Sequence, residues 1–253
     1  MTEDHDAVVR RSFERQVGIF SGPDSIFAKR TGSFAWIEPL DPEMIVLDVA
    51  CGAAHASESI APLVRQVVGL DITAALLELG AQRLRDVGID NVLLQEGNAT
   101  SMPFADESFD IVFCRAALHH FDDPQRVIAE MARVCRAGGR LVLMDLIAPS
   151  PEVRDEFDEI HRLIDPSHVR AFVEAELPEL LPGGMDALVY AETFAFRFPV
   201  EGTFTEQSER AAVLERLHAD ARGNGPPTGF DPVEEDGKLV VSFEMCTLQA
   251  ART

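Results

Sequence analysis

Three residues near the ends of two apolar runs have the types and spacing of a nucleoside site. Asp48 and Gly52 close the run that begins at Met44, and Asp71 closes the next apolar run. In an α/β sheet, a glycine-containing turn after the first strand approaches the nucleoside, and a carboxylate after the second strand accepts hydrogen bonds from its ribose hydroxyls. The pattern therefore predicts a nucleoside-containing cofactor held at Gly52 and Asp71.

The turn itself argues against a nicotinamide dinucleotide. From Gly52 to Ser57 the chain reads Gly-Ala-Ala-His-Ala-Ser, with a single glycine. The dinucleotide pattern G-x-G-x-x-G uses three glycines so that the backbone can approach a pyrophosphate. A cofactor without a pyrophosphate fits this turn better, and a nicotinamide-dependent reductase remains the weaker alternative.

Short apolar strands alternate with amphipathic helices in the segment that carries these residues. This alternation indicates a parallel sheet covered on both faces. We predict strands at 44–49, 66–70, 91–95, 109–114 and 140–146, and helices at 54–63, 73–87 and 124–135.

The C-terminal part has a different pattern, which we interpret as an extension of one sheet edge. The predicted fold is a single α/β domain over residues 1–253, a doubly wound Rossmann-like sheet of seven strands with helices on both faces. Five parallel βα units are followed by a C-terminal antiparallel strand pair. The later elements are a helix at 153–164, a helical stretch toward Leu181, strands at 186–198 and 238–248, and a helix near 206–218.

Composition narrows the class of partner. A net charge of −21 argues against nucleic acid, whose binding requires Lys and Arg to neutralise phosphates. No run approaches the roughly 18 apolar residues of a membrane span, and the acidic start is unlike a signal peptide, so we expect no integral membrane association and a cytoplasmic location. The four cysteines lie far apart, and we predict neither a metal site nor a disulfide; the oligomeric state stays open.

Six ordered segments carry a resemblance to a known family. They are residues 46–52, 68–71, 96–99, 102–110, 115–121 and 133–140. In these segments the chain resembles the class I S-adenosylmethionine-dependent methyltransferases, particularly the ubiquinone and menaquinone methyltransferase-like group, methyltransferase type 11. The resemblance implies S-adenosyl-L-methionine as the cofactor and a small-molecule methyl acceptor as the partner.

The resemblance also implies roles for individual residues. Asp71 would bind the ribose, which is the favoured role; capping the helix that begins near Thr73 is the alternative, and both roles can coexist. The family usually has glycines where this chain has Ala50 and Ala54, and usually has Asp at the position of Asn98. The remaining implied cofactor residues are Asp48, Ala50 and Gly52 around the methionine part, Ile72 against the adenine, Asn98 and Ala99 at the adenine edge, and the backbone of Arg115 near the amino group.

The acceptor side is less defined by the sequence. A sulfonium methyl group is already activated, so transfer requires mainly alignment, and a histidine base would help where the acceptor atom is oxygen or an acidic carbon. His119, His120 and His168, with Arg170 beside the last, are the candidates, and ordinary packing or loop salt bridges are the alternative. The abundance of Phe over Tyr and Trp favours a hydrophobic or aromatic acceptor.

These interpretations divide the chain by role. Residues 1–40 are expected to form an N-terminal helical cover, 41–148 the cofactor-binding core, 151–181 a cover over the acceptor, and 186–250 the C-terminal strands with a helical insertion. A protein that binds the cofactor without transferring its methyl group is the alternative function, because Ala50 and Ala54 narrow the turn.

Overall fold

The computed structural model describes residues 4–21, 35–185, 187–205 and 208–253. The helices in these residues are α1 (His5–Ser21), α2 (His55–Ile60), α3 (Ala74–Val87), α4 (Pro124–Val134), α5 (Arg154–Ile164) and α6 (Arg210–Ala221). The strands are β1 (Ile45–Val49), β2 (Gln66–Asp71), β3 (Val92–Glu96), β4 (Phe109–Arg115), β5 (Cys135–Ile147), β6 (Ala187–Pro199), β7 (Val233–Glu235) and β8 (Lys238–Ala251).

The strands form one sheet in the order β3-β2-β1-β4-β5-β8-β6, and β7 pairs with β8. The first five strands are parallel, whereas β8 is antiparallel to β5, β6 and β7. This confirms the predicted doubly wound fold with its antiparallel C-terminal pair. Because the strand order reverses between β1 and β4, a crevice opens outside the carboxyl ends of these strands, where ligands bind in open α/β sheets.

Two hydrophobic cores, one on each face, hold the central strands. Ile111 and Phe113 of β4 pack into one core, and Val112 and Cys114 pack into the other. Since successive side chains of a strand point to opposite faces, a strand buried on both faces must be apolar throughout. This explains why the central strands read as continuous apolar runs.

Three elements differ from the predictions. The helix predicted at 54–63 ends at Ile60 and continues as a 3-10 turn, Ala61–Leu63, because Pro62 lacks the N–H of an α-helix. The helical stretch toward Leu181 consists of two 3-10 turns, Glu174–Glu176 and Pro178–Leu180.

The third difference is an additional strand, β7, which forms a hairpin with β8. Asp236 and Gly237 connect the two strands, and their φ angles of 50° and 74° are typical of the tight hairpin turn that Asp-Gly favours. The predicted helix near 206–218 begins at Arg210, and residues 206 and 207 lie outside the described part of the chain.

Helix α1 lies across the carboxyl edge of the sheet. His5 Nε2 is 2.8 Å from the carbonyl oxygen of His120, and Asp6 accepts a hydrogen bond of 2.6 Å from Asn98 Nδ2. Near its middle, Gln16 donates a hydrogen bond of 3.0 Å to Asp165. The helix therefore joins loops that follow β3, β4 and α5. Each helix in the described residues is too short or too polar to cross a membrane.

Candidate active site

A cavity of about 280 Å³ lies in the crevice at the carboxyl ends of the parallel strands. Its wall includes every residue predicted to bind the cofactor, as well as three of the four candidates for the acceptor side. These are Asp48, Ala50, Gly52, Asp71, Ile72, Asn98, Ala99 and Arg115, together with His119, His120 and His168. Arg170 is not part of the wall.

Asp71 lies at the end of β2 and holds the turn that follows β1. Its Oδ2 accepts a hydrogen bond of 2.8 Å from the backbone N–H of Gly52, and its Oδ1 accepts one of 2.8 Å from the N–H of Thr73. Asp71 is thus not itself the cap of α3, whose N-cap is Thr73, but its carboxylate holds the backbone of that residue. Burial raises the pKa of Asp71, and these backbone donors oppose the increase. A carboxylate has about four lone-pair sites, so two remain to accept further donors from the cavity.

Asp48 and Arg115 place opposite charges in the same cavity. Asp48 Oδ2 accepts a hydrogen bond of 2.6 Å from the hydroxyl of Ser57. Burial raises the pKa of Asp48 to about 7, although Ser57 and the charge of Arg115 oppose the increase. The Arg115 guanidinium lies 5.9 Å from the ring centroid of Trp36. A carboxylate and a guanidinium together suit the ammonium and carboxylate groups of an amino acid.

His119 and Asp145 form a hydrogen-bonded pair in the wall of the cavity. His119 Nδ1 lies 2.5 Å from Asp145 Oδ1. Asp145 is fixed in turn by backbone N–H groups, including those of Leu118 and Leu146, the latter at 2.6 Å. A carboxylate that accepts the Nδ1 proton leaves Nε2 of the imidazole as a lone-pair acceptor.

Sequence reasoning missed Asp145. The available signal was its position, because Asp145 is an acidic residue within the apolar run 140–146. A carboxylate buried in a strand requires a hydrogen-bonding or charged partner.

The other candidates occupy different environments. His120 Nδ1 lies 3.1 Å from the carbonyl oxygen of Ser167, and burial lowers the pKa of His120 to about 4. His168 Nε2 lies 2.7 Å from Asp158 Oδ1. Arg170 pairs with Glu176 at 2.6 Å and is 46% exposed, so its guanidinium is engaged outside the cavity.

Known proteins resemble this chain in sequence and in fold. A family model described as a methyltransferase domain matches residues 47–143. YcgJ of Bacillus subtilis, named an uncharacterized methyltransferase, is 38% identical over 157 residues, which are 62% of this chain and 61% of YcgJ. The crystal structure of YcgJ covers 94% of this chain and 98% of that chain, with a TM-score of 0.72 and 25% identity. Residues 47–143 thus match a methyltransferase domain, and the chain as a whole is similar in fold to YcgJ.

A second relative carries the name of the group that the sequence resembles. The demethylmenaquinone methyltransferase of Halalkalibacterium halodurans is 31% identical over 159 residues, which are 59% of this chain and 64% of that protein. The chain thus spans less than two thirds of the length of either relative. A Haemonchus contortus phosphoethanolamine N-methyltransferase solved with S-adenosylhomocysteine shares the fold, with a TM-score of 0.67 and 15% identity over 98% of this chain and 60% of that chain.

The structure accounts for Asn98, where the methyltransferases that the sequence resembles usually have Asp. Asn98 Oδ1 accepts hydrogen bonds of 2.8 Å from the backbone N–H and the hydroxyl of Thr100, and its Nδ2 donates to Asp6. An aspartate here would place a second carboxylate against Asp6 and would lose this donor. Asparagine at position 98 is therefore suited to the contact with Asp6 of α1.

Ala54 also departs from the family pattern, and its methyl group does not line the cavity. Its φ of 59° and ψ of 30° are left-handed, a conformation that strains residues other than glycine. A Cβ built on Gly80 of α3 would lie 3.2 Å from the Ala54 Cβ, so the methyl group faces that helix. We therefore expect the strain at Ala54 to lower the stability of the fold and to leave cofactor binding unchanged.

Replacing Ala54 by Gly is expected to raise the free energy of unfolding by about 0.5 kcal/mol, because relief of left-handed strain exceeds the added chain entropy. Urea unfolding measures this effect. Ala56→Gly, within α2, is the matched control and should destabilise the protein by about 1 kcal/mol. A tenfold gain in S-adenosylmethionine affinity in Ala54→Gly would instead show that the methyl group crowds the cofactor.

Replacing Asp48 by Asn tests the raised pKa of this carboxyl group. The pKa of Asp48 rises from 3.8 to about 7 on folding. The free energy of unfolding of the wild type therefore decreases as the pH increases between these two values, because the unfolded protein loses the proton first. The free energy of unfolding of Asp48→Asn relative to the wild type should therefore increase by about 2 kcal/mol from pH 5 to pH 7. Urea unfolding at both pH values, with the exposed Asp86→Asn as control, measures this; a constant difference would contradict it.

Proposed function

We propose that the protein transfers a methyl group from S-adenosylmethionine to a small, hydrophobic or aromatic molecule, at an oxygen or an acidic carbon. The observation that carries the proposal is the His119–Asp145 pair, which lies in the wall of the same cavity as the predicted cofactor residues. The cavity thus joins a site for an amino acid and a ribose to a histidine suited to act as a base.

The residues of the cavity fit the cofactor group by group. Asp71 has lone pairs for the ribose hydroxyls, while Asp48 and Arg115 suit the ammonium and carboxylate groups of the methionine part. Gly52 has a φ of 54°, a left-handed value that favours glycine. A Cβ at this position would lie 3.8 Å from a side-chain carbon of Leu76, which is an ordinary contact. When bound, S-adenosylmethionine supplies a methyl group on a positively charged sulfur.

His119 accepts the proton that the acceptor loses. Asp145 holds Nδ1 in its protonated form and orients the ring, so that Nε2 is the basic atom. This step is needed where the acceptor is a hydroxyl or an acidic C–H, because both become far stronger nucleophiles without the proton. A neutral amine has no such requirement, and we therefore favour oxygen or carbon as the acceptor atom.

The rest of the cavity wall is largely apolar, which supports a hydrophobic or aromatic acceptor. It includes Phe196, Phe243, Met144 and Met245. The segment 151–181, proposed as the acceptor cover, adds His161, Ile164, Asp165 and His168 to the wall. The surface is able to enclose a ring and exclude water, which favours alignment of the reacting atoms.

A methyl-transfer screen with labelled S-adenosylmethionine tests this function. Quinone precursors and phenols are expected to receive label, whereas amines and lipids lacking an acidic proton are not. Label on amines alone would contradict the role of His119. Cofactor retained by the purified protein in mass spectrometry, with no transfer to any acceptor, would favour the non-methylating alternative; retained NAD would favour a reductase.

A further inference from the structure

Asp6, in the first turn of α1, forms part of the cavity wall near the loop that follows β3. Ile72 and Asn98 line the cavity beside it, and the same three residues line an open pocket that adjoins the cavity. Asp6 is half-buried, so its carboxylate is not enclosed in the protein core. A molecule in the cavity is therefore able to reach the Asp6 carboxylate.

The order of the strands determines which part of the cofactor extends toward Asp6. Strand β3 lies beside β2, on the side away from β1 and β4. In the proposed binding mode the methionine part lies at Asp48 and Arg115, on β1 and β4, and the ribose lies at Asp71 of β2. The base is attached to the opposite side of the ribose from the methionine part. It therefore extends toward the loop after β3, and toward Asp6.

The contacts of Asn98 fix the orientation of its amide group. The backbone N–H of Thr100 is a donor only, so the Asn98 atom that it contacts at 2.8 Å is the oxygen. The hydroxyl of Thr100 donates to the same oxygen at 2.8 Å, and the two donors together use both of its lone pairs. The Asn98 side chain consequently has no acceptor left for the amino group of adenine.

Asp6 and Asn98 together present an acceptor and a donor to the base. Asn98 Nδ2 donates one of its two hydrogens to Asp6 Oδ2, at 2.6 Å, and its second hydrogen is available to another acceptor. A carboxylate has about four lone-pair sites, and this contact uses one of those on Asp6. The edge of adenine presents an amino donor beside the ring acceptor N1, which is the complementary pattern.

We propose that Asp6 is the residue that recognises adenine, with its carboxylate accepting a hydrogen bond from the exocyclic amino group while Asn98 Nδ2 donates to N1. The carboxylate that the resembled methyltransferases usually have at position 98 is thus supplied here by a different element, α1. The inference rests on the proposed function and names a specificity residue for its cofactor.

Calorimetry with two nucleosides tests for a direct contact. The probes are S-adenosylhomocysteine and its analogue with unsubstituted purine in place of adenine, which lacks only the amino group. The wild type should bind S-adenosylhomocysteine about tenfold more tightly, because the analogue supplies no donor to Asp6. Asp6→Ala should bind the two nucleosides with affinities within about twofold, since these four affinities isolate the interaction between the carboxylate and the amino group.

A third probe, S-inosylhomocysteine, has a carbonyl oxygen where adenine has the amino group. The wild type should bind it at least about tenfold more weakly than S-adenosylhomocysteine, because two acceptors then face each other. In Asp6→Asn the new amide keeps its oxygen on Asn98 Nδ2 and turns its own N–H toward the base. The preference for adenine should therefore fall to about threefold or less. Glu14→Gln, at an exposed position of the same helix, is the matched control and should keep the wild-type preference.

The comparison between probes separates recognition from folding. A variant that merely loosened α1 would weaken all three nucleosides alike and leave their ratios unchanged. The inference is overturned if the wild type does not distinguish S-adenosylhomocysteine from the purine analogue, or if Asp6→Ala distinguishes them as the wild type does. Absence of S-adenosylhomocysteine binding to the wild type would instead refute the proposed function.

Discussion

Replacing His119 by Ala is expected to lower kcat for methyl transfer about 10³-fold while leaving the affinity for S-adenosylmethionine within about twofold. The imidazole accepts the proton of the acceptor in our account, and general bases typically contribute 10²- to 10⁴-fold to the rate. The measurement is single-turnover transfer to an acceptor identified by the screen, combined with calorimetric titration of the cofactor.

Asp145→Asn distinguishes a base from a packing residue. The asparagine retains the shape of Asp145 but cannot accept the Nδ1 proton of His119 in the same way, so kcat should fall about 10²-fold. If His119→Ala and Asp145→Asn both retain full activity, the pair is structural. His218→Gln, at a histidine whose ring pairs with Glu234, controls for the loss of an imidazole elsewhere.

Replacing Asp71 by Ala is expected to weaken S-adenosylhomocysteine binding about thirtyfold, which corresponds to roughly 2 kcal/mol. The carboxylate is proposed to accept hydrogen bonds from the ribose, and it also fixes the N–H groups of Gly52 and Thr73. Both effects act in the same direction, because the turn that receives the cofactor is itself oriented by Asp71. Calorimetry at fixed pH measures the change.

The control for this variant addresses folding. Asp86→Ala, at an exposed position of α3, should leave affinity unchanged. Circular dichroism and thermal unfolding establish that Asp71→Ala remains folded at the titration temperature. Unchanged affinity in the folded variant would show that Asp71 only holds the backbone at Gly52 and Thr73.

Local patterns were sufficient to predict the sheet and the cofactor end of the cavity. The apolar runs that become β1 and β2 end at Val49 and Asp71, as a parallel strand must when a polar loop follows it. All eight residues assigned to the cofactor line the same cavity, because the loops after parallel strands converge at one edge. Their contacts with the cofactor remain a prediction.

The acceptor end depends on long-range contacts that a single sequence does not specify. Asp145 is recognisable as a partner of His119 only after β5 is placed beside β4. His161 reads as one position on an amphipathic helix, and its stacking on His168 becomes visible only in the structure. Arg170 was a reasonable candidate by position, but its pairing with Glu176 directs it away from the cavity.

Titration of the protein with S-adenosylhomocysteine and with NAD tests the central claim most directly. The account predicts saturable binding of S-adenosylhomocysteine at one site per chain, weakened about thirtyfold in Asp71→Ala, and no response to NAD. Binding of NAD without a response to S-adenosylhomocysteine or S-adenosylmethionine would contradict it.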